Sequence, residues 1–597
     1  MLQVGTICDQ AACWLQGQLL TRHLRHYLRI LLATLAVAAA IGCRPAPADT
    51  PPRTATPGVP RGGDLRVAVR TEPQSFNWYT RHDGSTYIVT ALTQARLFQV
   101  NRATQEVEPW LAESSTRSDD GLRYTIKLRP NVVFADGHPF TSEDVVFSFA
   151  AAYNERAGSV LADAMKIAGQ PLQAAAVDSL TVIVTFPVPF APGLVLLDNL
   201  PILPKHKLQG ALDAGTFGSA WGLATPVGEI AGLGPFVLAE YVPGERAVFA
   251  RNPKYFRKDA AGAPLPYLDR VVVEVVPDQN AQMLQLDTGR IDMTGSEVRP
   301  EDYAPLKRAA DAGRVQLLDL GVASDPDSFW INLRPGAFAK DPRAGWIQRD
   351  ELRQAISLAV DRQAFADTVY LGAGAPAFGP VTPANKKWYS PDLPETPHDP
   401  ARAKTLLASI GLTDRNGDGV LDDPRNQPAR FALLTQKGQT ALERGAAVIR
   451  DELKKIGLLV DVVPLEGNAL VQRFLSGQAY DAIYFQFGMT NPDPALSLDF
   501  WLSSGTSRVW NLAQKTPATD WERQIDELMA KQITATDEGK RKRLFDQVQR
   551  VFAAHLPVVH FVAPKIFVAA SSRTTNLTPA ITRPQFLWAA ETIAVKP

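Results

Sequence analysis

The residues best suited to chemistry lie in one short run, Tyr484-Phe485-Gln486-Phe487-Gly488-Met489-Thr490-Asn491-Pro492-Asp493-Pro494. Apolar residues followed by a Gly, Asn and Pro cluster read as a strand opening into a loop, a common seat for binding residues on a rigid scaffold. Its aromatics offer stacking area, and Asp493 offers a carboxylate to a ligand amine. Trp78 and Tyr79 beside Asn77, and Trp330, Trp501 and Trp510, add further candidate contacts for peptides, sugars or planar ligands. Arg334 could pair with a ligand carboxylate. For each aromatic the competing role is core packing, and Phe485 and Phe487 also fit the buried face of a strand.

A second constellation begins Asp414-Arg415-Asn416-Gly417-Asp418-Gly419. Oxygen donors at alternate positions (Asp414, Asn416, Asp418, Val420 and Asp422) with a Gly at the sharp turn suit a structural calcium ion. The twelfth position is Arg425 rather than a bidentate Glu, so an Asx-rich surface turn is the alternative. No other cofactor is required. HExxH, G-x-S-x-G, Walker and CxxC patterns are absent from the sequence. His555 and His560 straddle a helix-to-strand junction, which leaves nickel ligation by a His cluster without support. The reading is a binding protein and not an enzyme.

The elements that must position these residues alternate helix and strand. Leu122, Tyr124, Ile126 and Leu128 alternate with polar residues after the Asp119-Asp120-Gly121 turn, which predicts a strand with one buried face. Asp136-Gly137 is a second turn, and Thr141 with Asp144 resembles a capping box opening a helix with Val145, Val146, Phe149 and Tyr153 on one side. Further helices are predicted over 87–98, 281–287, 350–362, 400–410, 441–456 and 468–476, several stopped by a Gly at 289, 411, 457 or 477. Asp537 caps another. Strands are predicted over 270–276, 458–464, 482–487 and 558–562.

These residues resemble a known family. Pro109 to Phe149 is similar to the "DG-x-x-Tyr-Thr … Leu-Arg … Phe-x-Asp-Gly-x-Pro-Phe-Thr-x-x-Asp-Val-x-Phe-Ser" signature of the family 5 extracellular solute-binding proteins, the dipeptide, oligopeptide and nickel receptors of ABC importers. Pro201 to His206, Gly232 to Phe236, Arg251 to Phe256, Ile291-Asp292 and Asp350 to Arg362 match further family segments. The resemblance implies an α/β, two-lobed periplasmic-binding-protein-like fold of the cluster C type. A discontinuous first domain spans 62–95, 207–327 and 560–597, an inserted second domain 96–206, and a third α/β lobe 328–559. In peptide-binding relatives the loop matching 487–494 carries an aromatic and then an Asp that pairs with the peptide's α-ammonium. Aligned on Pro494, those positions fall on Phe487 and Thr490. Thr490 is neutral and cannot anchor an amine by charge, which leaves Asp493 as the substitute.

Composition and the N-terminus supply the compartment. The chain has 597 residues, 62 basic and 62 acidic, with 45% hydrophobic content. That is a multi-domain globular chain with no basic stripe, so nucleic acid is not an expected partner. Arg22, Arg25 and Arg29 precede the apolar run Ile30 to Gly42, too short to span a bilayer and ending at Cys43. Residues 1–43 read as a signal peptide ending at a lipobox, with Cys43 the lipidated residue, although cleavage by the ordinary signal peptidase is the alternative. Cys8 and Cys13 fall in the leader, so no internal disulfide is expected in the mature protein. A Pro-rich tether follows at 44–61.

The expectation is a monomeric, lipid-anchored, exported receptor at the membrane surface or in the periplasm. It captures peptides between two hinged lobes and delivers them to an ABC permease. The alternative cargo is an oligosaccharide or another polar metabolite. An exported hydrolase, or a sensory lipoprotein on the same scaffold, is a more distant alternative.

Overall fold

The computed structural model describes residues 58–596 except 478, 489 and 490. Thr490 and Cys43 therefore lie outside the described residues, as does the leader. Three main sheets organise the chain. The largest runs Phe236–Val242, Arg246–Arg251, Arg270–Val275, Asp64–Val69, Met293–Thr294, Val562–Ser571 and Val315–Val322, with Gly374–Pro376 paired to the 562–571 strand. A second sheet of four antiparallel strands contains Ala112–Arg117, Arg123–Leu128, Thr181–Thr185 and Gln173–Asp178. The third runs Leu459–Leu465, Arg430–Gln436, Ala482–Gln486, Asp327–Ile331 and Val558–Val559.

The signature segment folds as its local chemistry dictates. Tyr124, Ile126 and Leu128 are buried and Arg123 and Lys127 exposed on strand Arg123–Leu128. The Asp144 carboxylate accepts the Thr141 N–H at 2.9 Å and so opens helix Ser142–Tyr153. Its other oxygen accepts the Lys205 N–H at 3.0 Å, and Asp136 meets His206 at 2.7 Å. Two segments about 60 residues apart thus lock together, which gives these signature residues a structural role. The helix is buried on more than the predicted side, since Phe147 and Ser148 are buried as well.

Elsewhere the elements differ from expectation for identifiable reasons. The helix predicted over 87–98 is Gly84–Thr93, because Asp83 caps it from Ser85 and Thr86, and Phe98 starts a strand. The helix predicted over 350–362 is two, Asp350–Ala359 and Arg362–Val369, because the Asp361 carboxylate accepts the Gln363 and Ala364 N–H groups and starts a new one. Gly411 and Gly457 take the left-handed conformation that ends their helices, with φ of 86° and 88°. Gly477 ends nothing as an α-helical cap; helix Gly467–Gln472 runs into a π-helical turn over Arg473–Gly477.

The chain passes between the first and third sheets twice, at residues 323–326 and 560–561, and one buried carboxylate ties the passages together. Asp327 accepts the Phe561 and Val562 N–H groups at 3.1 and 2.9 Å and the Tyr484 hydroxyl. The His560 Nδ1–H donates to the Asp327 carbonyl at 2.7 Å. Asp327 is fully buried, which pushes its carboxyl up to about 6, and burial pulls His560 down to about 4. Helix Thr440–Lys455 reaches this cluster through Gly445, where an added Cβ would stand 2.5 Å from the Tyr484 ring.

Candidate functional site

Strand Ala482–Gln486 sorts the candidate residues by its period of two. Tyr484 points into the core and to Asp327, while Ile483, Phe485 and, past the strand end, Phe487 line a cavity of about 520 Å³ on the other face. Trp330 stands opposite Ile483 on the neighbouring antiparallel strand and forms part of the same wall. Phe474 closes it edge-on to Trp330, with ring centroids 5.7 Å apart. None of the twelve lining residues is ionisable; the polar ones are Thr506 and Ser507. A cavity of this size with apolar walls and a few hydroxyls has the form of a small-ligand site.

Three sequence candidates, Trp330, Phe485 and Phe487, therefore meet at one cavity, while Trp330 is a core residue and both half-buried phenylalanines also pack against the core. Others are placed elsewhere. Asn77 is fully buried, holding the Tyr79 N–H and the Ala220 carbonyl, and Tyr79 donates to the Pro201 carbonyl at 2.8 Å. Trp78 stacks on His82 at 3.9 Å. Trp510 is buried with its indole N–H toward Glu522 at 3.3 Å, so its role is structural. Trp501 is 2% exposed, packs edge-on against Phe545 and lines a narrow crevice beside Asn491.

Asp493 corrects the sequence reading most sharply. It is not an open carboxylate, because Arg541 grips it with two bonds of 2.6 and 2.8 Å, both side chains being buried. It also accepts the Ala495 N–H, as the family's Asp-Pro turn requires. Helix spacing could not show this pairing, since the partners are 48 residues apart. Arg334 lies at a turn where its own carbonyl accepts from Gln348.

The cavity residues that sequence reasoning missed are chiefly Leu470, Val471, Phe474 and Leu475. A signal was present: 470/474 and 471/475 form two adjacent i, i+4 stripes, wider than one core-facing stripe needs.

In the calcium-like loop, Asp414 accepts the Gly417 and Gly419 N–H groups at 2.8 and 3.0 Å, Asn416 accepts Asp418 N–H at 3.0 Å, and Asp418 accepts Val420 N–H at 2.8 Å. The Asp422 backbone pairs with Thr413, while Val420 contributes its N–H to the turn. Among the described residues no group of three or more His, Cys, Asp or Glu side chains gathers as a cation site.

A strap over 380–388 joins the 491–494 loop to the hairpin Phe98–Val100/Val107–Pro109. Asn385 donates to the Pro492 carbonyl at 2.9 Å, and Trp388 anchors the strap in the core with Trp501 and Phe545. At the hairpin tip Gln105, held at a positive φ of 67°, donates to the Ala384 carbonyl at 2.7 Å and accepts the Lys386 N–H at 2.9 Å. Lys386 returns a bond to the Ala103 carbonyl at 2.7 Å. The hairpin's Leu97, Phe98 and Trp110 belong to a different core, so Gln105 clasps two separately packed bodies. Gln105→Ala removes two bonds worth roughly 1 kcal/mol each from the clasp and, where cargo selects the clasped form, is expected to weaken ligand binding by about thirtyfold. Calorimetry on the purified variant checks it; unchanged affinity would show that the clasp does not report closure.

The comparisons agree with this architecture. The family model for bacterial extracellular solute-binding proteins, family 5, matches residues 106–508 in its middle region. A probable ABC transporter-binding protein of Deinococcus radiodurans is 28% identical over 538 residues, covering 86% of this chain and 89% of the relative. The oligopeptide-binding protein AppA of Bacillus subtilis is 28% identical over 531 residues, covering 85% and 88%. The AppA structure with a nonapeptide superposes with a TM-score of 0.66 over 90% of this chain and all of that one, at 26% identity. CtaP, an ABC transporter substrate-binding protein of Listeria monocytogenes, shares the fold with a TM-score of 0.73 and 24% identity over 90% of this chain and all of that one. No described helix is long and apolar enough to cross a membrane. The chain belongs to the bacterial extracellular solute-binding proteins, family 5, α/β receptors that bind a solute without transforming it.

Proposed function

We propose that this protein is the peptide-capturing receptor of an ABC importer, holding cargo between hinged lobes and presenting the closed form to the permease. The lobes correspond to the three domains inferred from sequence, with the two passages at 323–326 and 560–561 as the hinge. The observation that carries the reading is the 26% identity to a receptor crystallised with a nonapeptide, and the apolar cavity of about 520 Å³ ending at Phe487 supports it as the third lobe's share of the site. Closure follows from tighter binding of cargo to the clasped form. Cys43 carries the lipid anchor, the 44–61 tether lets the receptor reach its permease, and the receptor acts as a monomer. Calcium in the Asp414–Asp422 loop, if it binds, is structural and separate from capture.

Mass spectrometry of the full protein isolated from producing membranes tests these points together. The expected native mass is one chain beginning at Cys43 plus a diacylglyceryl adduct, releasing a ladder of peptides on denaturation. A chain beginning elsewhere without lipid overturns the anchor. Release of a single sugar or other polar metabolite overturns the peptide cargo.

A further inference from the structure

The cavity's wall says more about cargo than the family does, and the following rests on its being the receptor's ligand site. Peptide recognition through charge needs a carboxylate for the ammonium or an arginine for the carboxylate. Neither is within the wall. Asp493 is committed to Arg541, and Arg508, next to Ser507 in sequence, is fully buried with its guanidinium over the Trp510 ring at 4.9 Å. What the wall offers is apolar surface. Val471 and Leu475 are 42% and 45% exposed although nothing in their local sequence requires large apolar side chains in water. They stand one turn apart on the helix that bends into the π-helical turn Arg473–Gly477, a rare backbone form that is frequent at functional sites. The same turn carries Phe474 inward, 8% exposed, against Trp330. Phe487 and Phe485 face them from the strand side.

We infer that this cavity is a specificity pocket for an uncharged, bulky apolar group of the cargo, which for a peptide is an aromatic or large aliphatic side chain. The exposed Val471 and Leu475 form the rim that such a group covers on binding. The Thr506 and Ser507 hydroxyls are the polar groups of the wall, available to a backbone amide or carbonyl of the bound cargo. Acidic and basic side chains are excluded because no counter-charge lines the wall and desolvating them is costly. Selection therefore works through burial of apolar area, not through ion pairing.

The test uses the full mature chain and two kinds of probe: the uncharged fluorophore N-phenyl-1-naphthylamine, and the tripeptides Ala-Phe-Ala and Ala-Glu-Ala. The fluorophore is expected to brighten on binding and to be displaced by Ala-Phe-Ala. Ala-Phe-Ala is expected to bind at least about tenfold more tightly than Ala-Glu-Ala, the ratio that burying one large apolar side chain supplies. Leu475→Glu, at an exposed position that folding does not depend on, is expected to weaken both the fluorophore and Ala-Phe-Ala by about tenfold, with Leu475→Met restoring them. Equal binding of the two tripeptides, or binding insensitive to Leu475→Glu, overturns the pocket while leaving a peptide receptor. Fluorophore binding that Leu475→Glu abolishes, with no tripeptide bound at all, keeps the pocket and overturns the peptide reading.

Discussion

Asp327→Ala is expected to destabilise the protein by about 3–5 kcal/mol, because it removes a buried charge from partners that cannot reach water. The Phe561 and Val562 N–H groups and the Tyr484 hydroxyl all lose their acceptor at once, and all are buried. Arg362 loses its nearby anion, although its guanidinium keeps the Ser357, Ala377 and His560 carbonyls. Urea unfolding of the variant measures the loss; a loss below about 1 kcal/mol would show that the two passages are held by backbone pairing alone.

The same cluster sets a pH dependence whose sign can be worked out. Burial raises Asp327 to about 6 from 3.8, so the folded state holds that proton more tightly, and this contribution to stability is present below about 4 and lost as pH rises through about 6. Burial lowers His560 to about 4 from 6.5, so its contribution is present above about 6.5 and lost as pH falls through about 4. Each shift corresponds to ~3 kcal/mol, and between pH ~4 and ~6 the two slopes oppose and largely cancel. His560→Asn removes one slope. The variant is expected to lose ~3 kcal/mol on going from pH ~4 to ~6 where the wild type changes little. Denaturation curves at those two pH values decide it, and a variant as flat as the wild type would mean that Asp327 does not titrate there.

Arg541→Met is the second large effect, expected to cost about 3–5 kcal/mol because Asp493 is left charged and buried without its bidentate partner. Arg541 also donates to the Gln532 carbonyl at 3.2 Å and lies 4.8 Å from the Trp388 ring, so it joins the loop, the strap and helix Asp520–Thr534. Replacing both members, Asp493→Leu with Arg541→Met, is expected to recover most of that loss, since two apolar groups need no counter-charge. Asp493→Asn separates architecture from ligand chemistry. It should lower the melting temperature and leave cargo affinity within about twofold, whereas an Asp493 that anchored a ligand ammonium would lose tenfold or more in affinity at unchanged stability.

Much of the scaffold was legible in the sequence because its causes are local. Asp136-Gly137, the Thr141 and Asp144 cap, and Gly411 and Gly457 each impose a backbone geometry within a few residues of themselves, and the structure contains all of them. That is why fixed spacing in one 41-residue segment sufficed to identify the family. Where a short-range competitor was overlooked the reading failed: Asp361 splits one predicted helix into two, and the turn at Arg473–Gly477 runs on where Gly477 was to stop it.

The site was legible only in part. Strand alternation placed Phe485 and Phe487 on one face, but it could not say whether that face met a core or a cavity, which depends on Trp330 and on a helix from residues 467–477. The sequence by itself determined the family and the binding role. Only the tertiary structure decided that Asp493 is spent on Arg541, that Asp327 ties the two passages, and that the wall of the cavity is uncharged. Local spacing records what the backbone needs within a turn or two, whereas burial and pairing are settled by partners tens to hundreds of residues away.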